Sequence, residues 1–176
     1  MHKSVKQKLI KRLTGYWKME AGNIVLMPAL MLFLTEARIS LWTGVATIAM
    51  ALLLGIGALY WRAKLQQLQG RDEKFESTMS LIRRMRLPSL ALTGSGVGFC
   101  ALLWLRPEFS KGRPDQIAAT FMAVLALLEY INYYHRQLQY FDNMADLKRV
   151  FSGKGFRPSQ MRRDLDQIAR RKRSLR

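Results

Sequence analysis

Of the 29 lysines and arginines in this chain, only Arg38, Arg106, Lys111 and Arg113 fall in two of the segments marked off by four apolar stretches. The stretches run Met19–Thr35, Ile39–Trp61, Leu87–Leu105 and Ile117–Tyr134. Before the first stand Lys3, Lys6, Lys8, Lys11, Arg12 and Lys18, and between the second and third stand Arg62, Lys64, Arg71, Lys74, Arg83, Arg84 and Arg86. The remainder follow the fourth, from Arg136 to Arg176. Basic residues resist transfer across a bilayer, so short loops rich in them stay inside. The alternation therefore fits one topology and contradicts its mirror image. It predicts an all-α, multi-pass protein of the cell's inner (plasma) membrane: four transmembrane helices as two hairpins, with both termini and the 62–86 loop cytoplasmic.

Composition agrees once it is divided the same way. A hydrophobic content of 49% beside a net charge of +17 is an odd mixture for a soluble domain. The mean hydropathy of −0.06 averages strongly apolar spans with strongly basic extensions. Ile39–Trp61 carries no charge and, at about 1.5 Å per residue, crosses a hydrocarbon layer of about 30 Å with room for tilt. Leu87–Leu105 is also uncharged and just long enough. The first span is the weakest, since its purely apolar centre, Ile24–Leu34, must borrow Met19, Ala21 and Gly22 to reach across. A basic leader before a short apolar run also fits a secretory signal. Glu20, the length of the leader and the poor cleavage sequence Thr35-Glu36-Ala37 favour a retained span. Tryptophan and tyrosine prefer the headgroup level, and Tyr16, Trp17, Tyr60, Trp61, Tyr133 and Tyr134 mark inner boundaries while Trp42 and Trp104 mark outer ones.

Outside the spans, three stretches read as basic amphipathic interfacial helices. Residues 1–18 place Val5, Leu9, Leu13 and Trp17 four apart; the middle loop places Phe75, Met79, Ile82 and Met85 on one stripe; the tail, 137–176, places Met161, Leu165 and Ile168. Gly70 is expected to interrupt the helix leaving the second span, with Asp72 capping the next, and Ser159 to cap the last helix. Residues 137–151 continue helically until Gly153-Lys154-Gly155, which lacks the spacing and preceding strand of a phosphate loop.

The basic positions Lys8, Lys11, Arg12, Arg83, Arg84, Arg86, Arg162, Arg163, Arg170, Arg171, Lys172 and Arg173 are the candidate contacts to a lipid surface or a partner. Near an anionic leaflet each contributes about 1 kcal/mol. Nucleic acid would attract them too, but no fold for base readout is visible. The expected partners are a membrane with anionic lipids and either a protein partner or further copies of the chain.

Ionisable groups within a bilayer are costly and mark candidate sites. Glu129, Asn132, Tyr133 and Arg136 share one face of the fourth span, and Asn23 and Glu20 of the first lie at similar depth or one turn nearer the cytoplasm. A polar cluster joining the first and fourth spans is expected, serving as interhelical glue or as a protonatable or cation-binding carboxylate. Gly94 and Gly98, in the 19–136 transmembrane domain, form a small-xxx-small pair for packing against a helix of the same chain or of another copy, and Pro28 is expected to loosen the first span. His135 reads as an interfacial anchor, because its six-residue separation from Glu129 suits no metal pair. Cys100 is the single cysteine, which excludes a disulfide framework within one copy. No catalytic constellation, metal set or cofactor motif is legible. The expectation is a non-enzymatic four-helix-bundle membrane protein, an assembly or accessory subunit, with a small oligomeric transporter or channel using Glu129 as the alternative.

Overall fold

The computed structural model describes residues 3–138 and 157–174. It is helical throughout, and no strand forms among the described residues beyond an isolated backbone bridge between Arg136 and Pro158. Helix α1 spans Lys3–Leu34, α2 Leu41–Leu68, α3 Asp72–Leu105, α4 Arg113–Tyr134 and α5 Gln160–Ser174, with a short 3-10 turn at Pro107–Phe109. The helices α1 to α4 are long and apolar enough to cross a membrane. Most of the tail's expected helix over 137–151, and the Gly153-Lys154-Gly155 break, lie outside the described residues.

Two expected boundaries do not exist. The basic leader and the first span form one uninterrupted α1, because nothing between them stops a helix; Pro28 lies inside α1. The middle-loop stripe and the third span likewise form one α3 that runs through Pro88. Beside the proline the Ser89 hydroxyl donates to the carbonyls of Met85 at 2.7 Å and Arg86 at 3.1 Å. The break at Gly70 is present, with φ of 86°. The cap is shifted by one: Arg71 occupies the cap position without a side-chain bond, and Asp72 opens the first turn.

Helix α2 is the hub, packing against α1, α3 and α4. Its buried face carries Ala46, Ala49, Met50, Leu53, Ile56 and Tyr60, which meet Met79 and Ile82 of α3 and Met122, Ala123 and Ala126 of α4. Alanines at the contact let helix axes approach closely. Gly96 of α3 takes this furthest, since a Cβ there would stand 3.1 Å from the Ala46 Cα. Gly94 and Gly98, expected to let a helix of the same chain or of another copy approach, face open space within the single chain. The reason is the helical phase: Thr93, Gly96 and Leu103 occupy the buried face and leave the Gly94–Gly98 pair on the outside. Large apolar side chains point outward along all four long helices, among them Phe33 at 80%, Leu41 at 77% and Leu105 at 77% exposure. Exposure on that scale suits hydrocarbon as the surrounding solvent.

Two of the apolar stripes pack in a way the periodicity alone did not assign. Phe75, Met79 and Ile82, whose stripe was expected to face acyl chains, are buried within the protein. Met161 of α5 is buried too, with Leu165 and Ile168 packed on the same core. A 3.6-residue stripe specifies an apolar neighbour without saying whether that neighbour is lipid or protein.

Candidate functional site

The two ends of the bundle are organised around different buried acids. At the end carrying the base-poor connectors, Asp115 of α4 is fully buried. Its Oδ1 accepts from the Ser40 backbone N–H at 3.0 Å and the Thr43 hydroxyl at 2.6 Å, at the start of α2. Its Oδ2 accepts from the Lys111 N–H at 2.9 Å and the Ser110 hydroxyl at 3.2 Å. One carboxylate thus ties the connector before α2 to the connector before α4. Nearby, Gln116 donates to the Leu103 carbonyl at 2.8 Å and Trp104 to the Thr120 hydroxyl at 2.9 Å, joining α3 to α4. Sequence reading passed over Asp115; an acid in the first turn of an apolar helix, beside Ser110 and Ser40-x-x-Thr43 cap residues, was the available signal.

At the opposite end the expected cluster residues fall into linked pairs. The Tyr133 hydroxyl donates to Glu20 Oε1 at 2.9 Å, joining α4 to α1, and both residues are buried. Asn132 donates to Glu129 Oε2 at 3.3 Å, while its own Oδ1 accepts the Leu138 N–H at 2.9 Å. Glu129 stands close enough to Glu20 and Tyr133 to interact with both electrostatically. Asn23 is half-buried one turn further along α1 and is not bonded into the group. The contact crosses α2 at Gly57, where a Cβ would lie 2.2 Å from the Tyr133 hydroxyl oxygen and 3.1 Å from the Glu20 carboxyl carbon. Only a glycine leaves that passage open.

Helix α5 is fastened to the same end. Asp164 accepts from the Tyr60 hydroxyl at 2.7 Å and pairs with Lys64 at 2.8 Å, both on α2. Ser159 caps α5 by accepting the Arg162 N–H at 3.1 Å, and its hydroxyl donates to the Tyr133 carbonyl at the end of α4. Tyr134 donates to the Ile82 carbonyl at 3.0 Å, tying α4 to α3. Partial burial, helped by the charges of Arg86 and Arg162 beside it, holds the His135 imidazole below the usual histidine range.

Between α1, α2, the end of α4 and the start of α5 lies a cavity of about 380 Å³. Its lining includes the polar Arg12, Gln137, Arg157, Gln160 and Arg163 and the apolar Leu9, Leu13, Met19, Trp61 and Met161. Glu20, Asn132 and Tyr133 also border it. Tyr16 and Trp61, which also line it, have ring centroids 5.0 Å apart and planes tilted by 52°, and Arg62 lies over the Trp17 ring at 5.9 Å.

The remaining predicted basic residues are distributed around this end. Lys8, Lys11 and Arg12 are exposed on α1, Arg83, Arg84 and Arg86 on α3, and Arg162, Arg163, Arg170 and Arg171 on α5. Lys172 and Arg173 belong to α5, and their side chains lie outside the described residues. Among the described residues no three His, Cys, Asp or Glu side chains gather as metal ligands would.

The architecture is that of a helical membrane protein with four helices able to cross a bilayer. No family model, curated protein or solved structure matches the chain.

Proposed function

We propose that the chain is a non-enzymatic integral protein of the inner (plasma) membrane, inserted as two antiparallel helical hairpins with both termini in the cytoplasm. Its work is done at the inner end, where a basic surface engages anionic lipid or a partner membrane complex as an assembly or accessory factor. One observation carries the reading: Asp115 gathers both base-poor connectors at one end, while the lysine- and arginine-bearing ends of α1, α2, α3 and α5 meet at the other. That separation is what insertion under the positive-inside bias demands. It also concentrates charge where an anionic leaflet multiplies it.

The test is purification of the full chain in mild uncharged detergent, followed by native mass spectrometry at moderate salt, which screens unspecific attraction beyond about 8 Å. Anionic lipid or a stoichiometric companion that survives salt supports the reading. Recovery of only zwitterionic lipid, with no companion, overturns it.

A second reading, a small oligomeric transporter or channel, is favoured by Glu20, which borders a cavity at the inner end and lies close to Glu129. Under it, Glu129→Gln would abolish proton- or cation-coupled flux in proteoliposomes while leaving folded yield intact. Unchanged flux with reduced yield would leave Glu129 as an interhelical polar contact.

A further inference from the structure

The cavity beside α1 is bordered by an acid that the fold leaves half satisfied. Glu20 is 5% exposed, and its Oε1 accepts the Tyr133 hydroxyl. Among the described residues no donor reaches its Oε2, and no basic side chain pairs with the carboxylate. A buried carboxylate in that condition is costly until a further donor arrives. Among the same residues only Thr93 has a fully enclosed polar side-chain atom without a partner, so Oε2 is open, and the space that Glu20 borders is the cavity. Of the arginines lining that space, Arg12 donates to the Tyr16 hydroxyl and lies over its ring, and Arg157 is engaged as well. Arg163 differs, being exposed and bonded to no side chain among the described residues. The cavity thus offers one unpaired carboxylate and one unpaired guanidinium. An occupant of single charge satisfies one and is opposed by the other; a zwitterion satisfies both.

The surroundings point to a lipid headgroup as that zwitterion. Glu20 stands at the start of the first apolar stretch, and Tyr16, Tyr60 and Trp61 line the cavity with it; these are the residue types that collect at the headgroup level. Met19, another lining residue, opens an exposed row that continues on the same side of α1 through Leu26, Leu30 and Phe33. Such a row gives an acyl chain a path from the cavity into the hydrocarbon. A primary ammonium carries N–H donors for Oε2, and a phosphate matches the guanidinium fork. A volume of about 380 Å³ is at the small end of ligand pockets and suits a headgroup rather than a whole lipid.

We propose that this cavity binds the phosphoethanolamine headgroup of one membrane lipid, with the primary ammonium on Glu20 Oε2, the phosphate on Arg163 and an acyl chain leaving past Met19. The site rests on the reading of this end as lying at the inner membrane surface, and goes beyond the diffuse basic surface by adding one saturable position. It selects against choline headgroups, which have no N–H for Oε2, and against anionic headgroups, which have no cation for it.

The test uses the full chain in uncharged detergent, read by native mass spectrometry, with phosphatidylethanolamine, its N-monomethyl, N,N-dimethyl and trimethyl (choline) forms, and phosphatidylglycerol. The wild type is expected to retain one phosphatidylethanolamine, with retention falling as N–H groups are replaced and about tenfold weaker for the choline form. The series leaves the protein unchanged, so misfolding of a variant cannot imitate it. Equal retention of all four forms would overturn the contact to Glu20. Displacement of the bound lipid by phosphatidylglycerol at equal concentration would overturn the zwitterionic site while leaving the basic surface, and the proposed function, standing. Conversely, phosphatidylethanolamine as the sole retained lipid, with no companion protein, upholds the site and overturns the proposed function. Glu20→Gln, which can still accept the Tyr133 hydroxyl, should erase the difference between the ethanolamine and choline forms, and Arg163→Gln should weaken both. Arg83→Gln/Arg84→Gln, a pair that does not line the cavity, should change neither; erasure of the difference by this pair as well would overturn the site. Thermal stabilisation by soluble phosphoethanolamine equal to that by the lipid would overturn a lipid source.

Discussion

Tyr133 of α4 reaches Glu20 of α1 across the face of α2, its hydroxyl 2.9 Å from the carboxylate oxygen, through a gap that exists because residue 57 has no side chain. Three helices are thereby fixed to one another by one hydrogen bond and one missing methyl group. Gly57→Ala would place a Cβ 2.2 Å from the Tyr133 oxygen and 2.8 Å from its Cζ, so the ring must move and the bond to Glu20 must break. Overpacking of this kind costs about 1–3 kcal/mol, and the buried carboxylate loses its donor besides. Gly57→Ala should lower the detergent unfolding midpoint more than Tyr133→Phe does, and the double variant should fall short of the sum. Full additivity of the two would show that the contact is not formed.

Asp115 holds its end of the bundle in a way asparagine cannot reproduce. Each carboxylate oxygen accepts a backbone N–H, Ser40 on one side and Lys111 on the other. Whichever way an asparagine amide is turned, its NH2 faces a backbone donor. Asp115→Asn should therefore destabilise by about 2–3 kcal/mol despite its near-identical shape. A midpoint within error of the wild type, measured by thermal or denaturant unfolding in detergent, would contradict the carboxylate's bridging role.

Helix α5 depends on one acid for its attachment to α2. Asp164→Ala removes the acceptor of the Tyr60 hydroxyl and of Lys64 together, whereas Lys64→Met leaves the tyrosine bond in place. Local opening precedes global unfolding where few contacts hold an element. Trypsin cleavage after Arg162, Arg163 and Arg170 should accelerate about tenfold in Asp164→Ala, a change of about 1.4 kcal/mol in the opening equilibrium, and less in Lys64→Met. Equal rates in all three proteins would detach the Lys64–Asp164 pair from the docking.

What could be read from the residues beforehand follows from what each pattern encodes. The apolar stretches from Met19 to Tyr134 were legible because length and scarcity of charge are sufficient for a helix able to span. A polar cluster of the first and fourth spans that includes Glu20 and Tyr133 was legible from the similar depths of Glu129 and Asn23, but the depth rule says nothing about Gly57, whose importance is three-dimensional. The stripe of Phe75, Met79 and Ile82 was visible as a stripe; that Tyr134, α2 and α5 would cover it was not, since periodicity fixes which side is apolar and leaves its occupant open. Asp115 lacked a legible partner because Ser40 lies 75 positions away. The cavity of Arg12, Arg157 and Arg163 joins positions far apart in sequence and could emerge only from packing.

Thr93 presents the opposite case, a buried polar atom that makes nothing. It is 2% exposed on α3, and among the described residues its hydroxyl alone is buried without a hydrogen-bond partner. Replacing such a group by an apolar one of the same shape is neutral or stabilising, because the desolvation cost disappears and no bond is lost. Thr93→Val should leave the unfolding midpoint unchanged or raise it slightly. A fall corresponding to about 1 kcal/mol or more would reveal a hydroxyl that is bonded after all.

His135 gives its end of the bundle a pH dependence with a defined sign. Burial and the positive charges of Arg86 and Arg162 hold its imidazole below the usual value near 6.5, so the folded chain binds a proton less readily than the unfolded one. Above about pH 7.5 the residue is neutral in both states and contributes nothing that changes with pH. As pH falls through the unfolded value toward the folded one, the unfolded state takes up the proton first, and stability declines. The wild type should lose stability between pH 7.5 and 5.5, and His135→Gln should lose less over the same window. The comparison is best made on cleavage of α5, because the Ser159 N–H that precedes it donates to the His135 carbonyl at 3.4 Å, so local loosening should be seen there before the bundle melts. Parallel pH profiles for the two proteins would show that another group titrates in this range and that the arginines beside His135 do not act on it.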